Sequence, residues 1–157
     1  RPSAIMPPQL AISGGVPAMP GLPGLLENAL YAFYSQIVDL RDVVPERALT
    51  LISSGDSPDE VLRALLAEAL FRFETEGFLA VGARVEIDES AAEDARGAVA
   101  AAERRAPRLR ATARVWGESA DRGRHSLLAE VKAVTYHRLS VEQTADGGWR
   151  ATVLLDV

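Results

Sequence analysis

Two stretches of this chain place large apolar side chains on a single face at helical spacing, and together they restrict the fold more than any other feature. In the first, Leu25, Leu26, Ala29, Leu30, Phe33, Tyr34, Ile37 and Val38 recur at i, i+1, i+4, i+5, with Glu27, Asn28, Tyr31, Ser35 and Gln36 on the opposite side. This predicts a helix from Gly24 to about Leu40, ended by Asp42 and Pro45. The second stretch carries Val61, Leu62, Leu65, Leu66, Ala69, Leu70 and Phe73 on one face. Ser57 and Glu60 have the spacing of a capping box, Pro58 suits the first helical turn, and Gly77 is a C-terminal stop. Two helices with one apolar face each need a sheet or another layer to cover them.

The remaining segments supply strands. Residues 46–53 and 79–88 read as strands, the latter because Val85 and Ile87 alternate with Arg84, Glu86 and Asp88. Leu109, Ala111, Ala113 and Val115 alternate with Arg108, Arg110, Thr112 and Arg114. A long alternating run over 128–142 predicts another strand, and parity there puts a half-buried His137 with Val131, Ala133, Thr135 and Leu139. Asp146-Gly147-Gly148 is a hairpin turn, and 149–157 is the last strand, with Trp149 as a cross-strand packing residue. The expected fold is α+β: two amphipathic helices packed on one face of a mainly antiparallel or mixed sheet, in a single domain.

Two segments stand outside this pattern. Residues 1–23 are rich in proline and glycine and read as a loop or tail, with a short extended piece near Leu10-Ala11-Ile12. Residues 89–107 are rich in Ala, Glu and Arg and read as an exposed insertion, helical in part, closed by Pro107. No repeat is visible. The chain begins with Arg1 rather than methionine, as a piece or processed form would, and no stretch reads as a signal peptide. A cytoplasmic location is the expectation.

Composition excludes several chemistries. With no cysteine, thiolate metal sites, disulfides and cysteine nucleophiles are ruled out, and with only His125 and His137 a histidine-rich centre is too. The formal charge is −5, which argues against a dedicated nucleic-acid binder. Charge is uneven, however: residues 39–94 hold 14 acids and 5 bases, whereas residues 101–124 hold 7 arginines and 3 acids. That arginine cluster reads as a solvated strand edge, or alternatively as a patch facing phosphate or an acidic partner. No nucleophile–base pair stands out, since Ser126 merely adjoins His125, which itself reads as a solvent-exposed loop residue. Gly14-Gly15 lacks the continuation of a phosphate-binding loop. Asp156 beside the carboxylate of Val157 makes a pair of hard oxygen donors suited to calcium or magnesium if others join, or else a solvated terminus.

The C-terminal third carries a specific pattern. Gly117-Glu118, His125, EVKAVTYH at 130–137, Gly147-Gly148-Trp149 and LLDV at 154–157 resemble the archease family. FETEGFLAV at 73–81 is similar to its FDTEGL segment, with Glu74 where aspartate is usual, and 24–40 is similar to its first helix. The likeness covers about residues 24–88 and 108–157 of an archease-like domain at 24–157.

The resemblance implies a small α+β protein that is not an enzyme. It implies a cofactor that activates the tRNA-splicing RNA ligase, promoting guanylylation and multiple turnover, in tRNA splicing or RNA repair. RNA would be met only indirectly, through that ligase, and no membrane would be involved. It also implies a divalent metal, calcium first and magnesium second, held by Asp156, Val157 and an aspartate of an N-terminal HTAD motif. Counting back from Glu27-Asn28, that motif falls on Gln9-Leu10-Ala11-Ile12, so Ile12 stands where the aspartate is expected. Lys132, His125 and His137 are the polar groups expected to meet the partner. The alternative is a degenerate archease-fold interaction protein without a functional metal site. An RNA-binding module using the arginines of 101–124 ranks below both.

Overall fold

The computed structural model describes residues 9–13, 21–89 and 109–157; the expected insertion at 89–107 lies almost wholly outside the described residues. Strand β1 (Gln9–Ser13) is followed by helix α1 (Leu22–Ile37), a 3-10 turn (Leu40–Asp42), β2 (Arg47–Gly55) and helix α2 (Pro58–Glu76). Then come β3 (Phe78–Asp88), β4 (Leu109–Ser119), β5 (Ala133–Val134), β6 (Ser140–Gln143) and β7 (Trp149–Asp156). The expected α+β class is the one the chain adopts.

Its strands divide between two antiparallel sheets. One has the order β2-β4-β3. In the other, β7 is central, with β1 on one side and β6 and β5 on the other. The extended piece expected near Leu10–Ile12 is β1, which pairs along its whole length with β7.

The helices form where the apolar spacing places them. Helix α1 buries Leu25, Leu26, Ala29, Leu30, Phe33, Tyr34 and Ile37. It starts slightly before Gly24, at Leu22, because Gly21 turns the chain with φ 87. Helix α2 buries Val61, Leu62, Leu65, Leu66, Ala69 and Leu70, and ends at Gly77 in the left-handed conformation, φ 70, whose N–H bonds the Phe73 carbonyl at 2.8 Å. The capping box does not close as expected. Glu60 accepts from the N–H of Asp56 at 2.9 Å, and the Ser57 hydroxyl donates to Asp59 instead of capping the helix.

Both helices pack on the inner face of the β2-β4-β3 sheet, where Leu51, Ala111, Ala113, Val115 and Val85 point inward. Ala151, Val153 and Leu155 of β7 close the same core from the other sheet. Two side chains fasten helices to strands. Glu27 of α1 accepts from the Val85 N–H on edge strand β3 at 2.9 Å, and buried Ser53 of β2 donates to the Val61 carbonyl at 3.1 Å. The carboxylate on the β3 edge occupies a donor that would otherwise invite strand addition.

The alternating run at 128–142 is not one strand. Only Ala133–Val134 and Ser140–Gln143 pair with β7, and between them the chain turns at Tyr136–Leu139, with Arg138 at φ 57. His137 therefore sits exposed on that turn rather than half-buried on a strand.

Candidate functional site

The last strand ends beside the EVKAVTYH segment. Ala133 pairs with Asp156, and the N–H of Lys132 donates to the Asp156 carbonyl at 2.6 Å. Lys132 and Asp156 are both exposed here, and because Ala133 is the residue directly opposite Asp156, the two charged side chains project to opposite faces of the strand pair. Val157, 41% exposed, follows. On the same segment the exposed ring of Tyr136 lies 4.0 Å from the Arg63 guanidinium of α2. Sequence reading did not single out this stack, because its two members are far apart in the chain.

Hard divalent cations of the calcium type take six to eight oxygens, roughly. Among the described residues, no group of three or more His, Asp or Glu side chains is placed to hold a metal. Register also separates Ile12 from the C-terminal edge. It pairs with Ala151, five residues before Asp156, a distance of about 17 Å along a strand. The described donors, Asp156 and Val157, do not by themselves fit a resident calcium or magnesium site.

His125 is elsewhere and in the opposite environment to the one expected. It is buried, 4% exposed, rather than a solvated loop residue. The cause is Glu118, which continues β4 and lies under the 120–125 loop, 3% exposed. Nδ1 of His125 accepts from the Asp121 N–H at 2.8 Å, so the ring proton is on Nε2, which points at Glu118 Oε2 (3.0 Å) and the Asp42 carbonyl (3.1 Å). Glu118 also accepts from the Val44 N–H at 2.8 Å and from Arg124. Arg124 first, then the Val44 N–H, hold the Glu118 carboxyl down at about 2.

Glu118 reaches this position because of Gly117. A Cβ there would lie 1.8 Å from the Leu79 carbonyl oxygen, so strands β3 and β4 can cross so closely only at glycine. The group ties three chain segments together: the 42–44 turn, the end of β4 and the 120–125 loop. The Glu118 and His125 side chains are buried against other parts of the protein, while Arg124 is half exposed at the rim, an arrangement that describes a structural pin. The signal in the sequence was the Gly117-Glu118 pair followed by a loop basic residue and histidine.

A small α+β domain with a pinned loop and an exposed Lys–Asp edge is the class these features define. The Archease protein family (MTH1598/TM1083) profile matches residues 20–157. The chain belongs to the archease family. It is 35% identical over 133 residues to "Protein archease" of Methanopyrus kandleri, covering 85% of this chain and 84% of that one. The corresponding protein of Methanosarcina acetivorans is 34% identical over 134 residues, covering 85% and 81%.

Among solved structures, the solution structure of Methanobacterium thermoautotrophicum protein 1598 superposes with a TM-score of 0.70 at 25% identity, covering 95% of this chain and 91% of that one. A Thermotoga maritima protein, described as an archease and possible chaperone, superposes with a TM-score of 0.56 at 14% identity, covering 96% and 90%, and shares the fold.

Proposed function

We propose that this archease is a protein cofactor of the tRNA-splicing RNA ligase, promoting guanylylation of the ligase and its multiple turnover, and acting on that enzyme rather than catalysing ligation itself. The observation that carries the reading is family membership over residues 20–157. The geometry supplies a surface suited to docking: Lys132, His137 and Asp156 are all exposed on or beside the β5–β7 edge. His125 is withdrawn from that surface and would act only by holding the 120–125 loop. No helix among the described residues is long and apolar enough to cross a membrane, and work in the cytoplasm is part of the proposal.

Ligation of tRNA halves ending in a 2′,3′-cyclic phosphate tests this. With ligase limiting, adding the chain should raise product well above one equivalent per ligase, and Lys132→Ala should reduce that gain. Product held at one equivalent with or without the chain would defeat the proposal.

A second reading is favoured by the register of Ile12 with Ala151 and by the incomplete donor set around Asp156. In it the chain keeps the archease fold as an interaction protein and lacks the family's metal centre. Calorimetric titration with calcium separates the two. Saturable binding lost in Asp156→Ala supports a working centre at Asp156 and Val157, and no heat at millimolar calcium supports the second reading.

A further inference from the structure

Among the described residues, the outer face of the β2-β4-β3 sheet carries no helix, since α1 and α2 pack on the inner face. Its central row reads Thr50, Arg114, Arg84 across the three strands, all exposed. Arg114 and Arg84 are direct cross-strand partners, so their Cβ atoms are about 5 Å apart. Like charges facing each other at that range oppose sheet pairing, and among the described residues neither guanidinium has an ion-pair partner. An anion between them would remove the repulsion.

The next row on the same face, about 7 Å along the strands, holds Trp116 opposite Gly82. The indole lies over the glycine, whose missing side chain leaves room for it; a Cβ at Gly82 would be 3.7 Å from the Trp116 ring. Trp116 is half-buried, which leaves part of the ring open to solvent. A guanidinium pair beside a flat aromatic ring on an open sheet face matches the chemistry of a nucleotide strand: phosphate for the arginines and a base for the ring. Thr50, beside Arg114 in the same row, adds a hydroxyl group suited to a ribose 2′-OH. An acidic peptide would satisfy the arginines and leave the ring without a planar partner. Glu86 lies in the row next to the arginines on the side away from Trp116, opposite Thr112, and Asp88 lies one row beyond, opposite Arg110, so the zone free of carboxylates is the Trp116 side.

We propose that this face binds single-stranded RNA directly, with phosphate between Arg84 and Arg114 and a base stacked on Trp116. The proposal stands independently of the ligase reading.

The test is fluorescence anisotropy of a labelled single-stranded RNA dodecamer with the full chain, over a range of salt. One phosphate neutralised on a single strand gives a slope of about −0.7 in log K against log salt. Arg84→Gln with Arg114→Gln should weaken binding at least tenfold and flatten that slope, whereas Arg41→Gln, on the 3-10 turn, should change neither. In a Trp149→Phe background, RNA should quench the remaining Trp116 emission. Circular dichroism confirms that each variant is folded. No binding, equal binding by the double variant, unquenched Trp116, or equal affinity for a single-stranded DNA dodecamer of the same sequence or for polyphosphate would each overturn the proposal.

Discussion

His125 and Glu118 share a buried hydrogen bond of 3.0 Å, and each holds a different loop to the end of β4. The imidazole takes the Asp121 N–H on Nδ1, while the carboxylate takes the Val44 N–H. Truncating His125→Ala leaves the Asp121 N–H and one Glu118 oxygen with fewer partners. A loss of about 1–3 kcal/mol is expected. Urea melts of wild type and variant measure it, and accelerated amide exchange at Asp121 and Val44 would locate the loosening in the two tethered segments.

Acid should undo the same pin. The folded Glu118 carboxyl is held at about 2, below its ordinary value of 4.5, chiefly by Arg124. A depressed carboxylate contributes stability that is complete above about pH 4.5 and is lost as pH falls toward 2. Asp39 is likewise held at about 2 by Arg41, but that pair is exposed and salt screens it. Unfolding monitored from pH 6 to 2 in high salt should therefore retain a slope due to Glu118, and Glu118→Gln should flatten it.

Gly117→Ala should be among the most damaging single changes in the chain. Its Cβ would meet backbone at 1.8 Å, and a carbonyl oxygen in a strand cannot swing aside as a side-chain tip can. A cost of at least about 3 kcal/mol is expected, or failure to fold. Gly147, where nothing lies within 4 Å, is the comparison: its replacement meets only the strain of φ +88. Melting temperatures of the two alanine variants should differ widely.

Tyr34 offers a prediction of opposite sign. Among the described residues its buried hydroxyl has no hydrogen-bond partner, and burial pushes its ionisation well above the ordinary tyrosine range. The ring meets Phe33 edge-on with centroids 5.2 Å apart. Tyr34→Phe keeps the ring and removes the unpaired group. Stability should stay the same or rise by up to about 1 kcal/mol in denaturant melts.

The helices were legible because their apolar residues recur with a period that tolerates errors of a residue or two at each end. Leu25 through Ile37 and Val61 through Leu70 read correctly and Gly77 marked a real stop, whereas the first helix ends at Ile37, before the expected Leu40, because Val38 is extended. Strand β4 was legible for the same reason at period two. The run at 128–142 misled because alternation says nothing of whether a partner strand exists: β7 has room for β5 and β6, and the chain between them turns through Arg138. His125 misled differently. Its neighbours in sequence are Gly, Arg and Asp, as in a solvated loop, while one of the groups that bury it, the Asp42 carbonyl, is 83 residues away. The family pattern marked Lys132 and Asp156 separately, and their adjacency required the register of β5 with β7.

Guanylylation is the step at which the proposed role is read with least intervening chemistry. Purified ligase incubated with radiolabelled GTP and divalent metal, with and without this chain, should show faster and more complete labelling of the ligase when the chain is present. The chain itself should remain unlabelled. Labelling of the ligase at the same rate and to the same extent in both samples, with the chain folded by circular dichroism, would contradict the assignment of this archease as the ligase's activator.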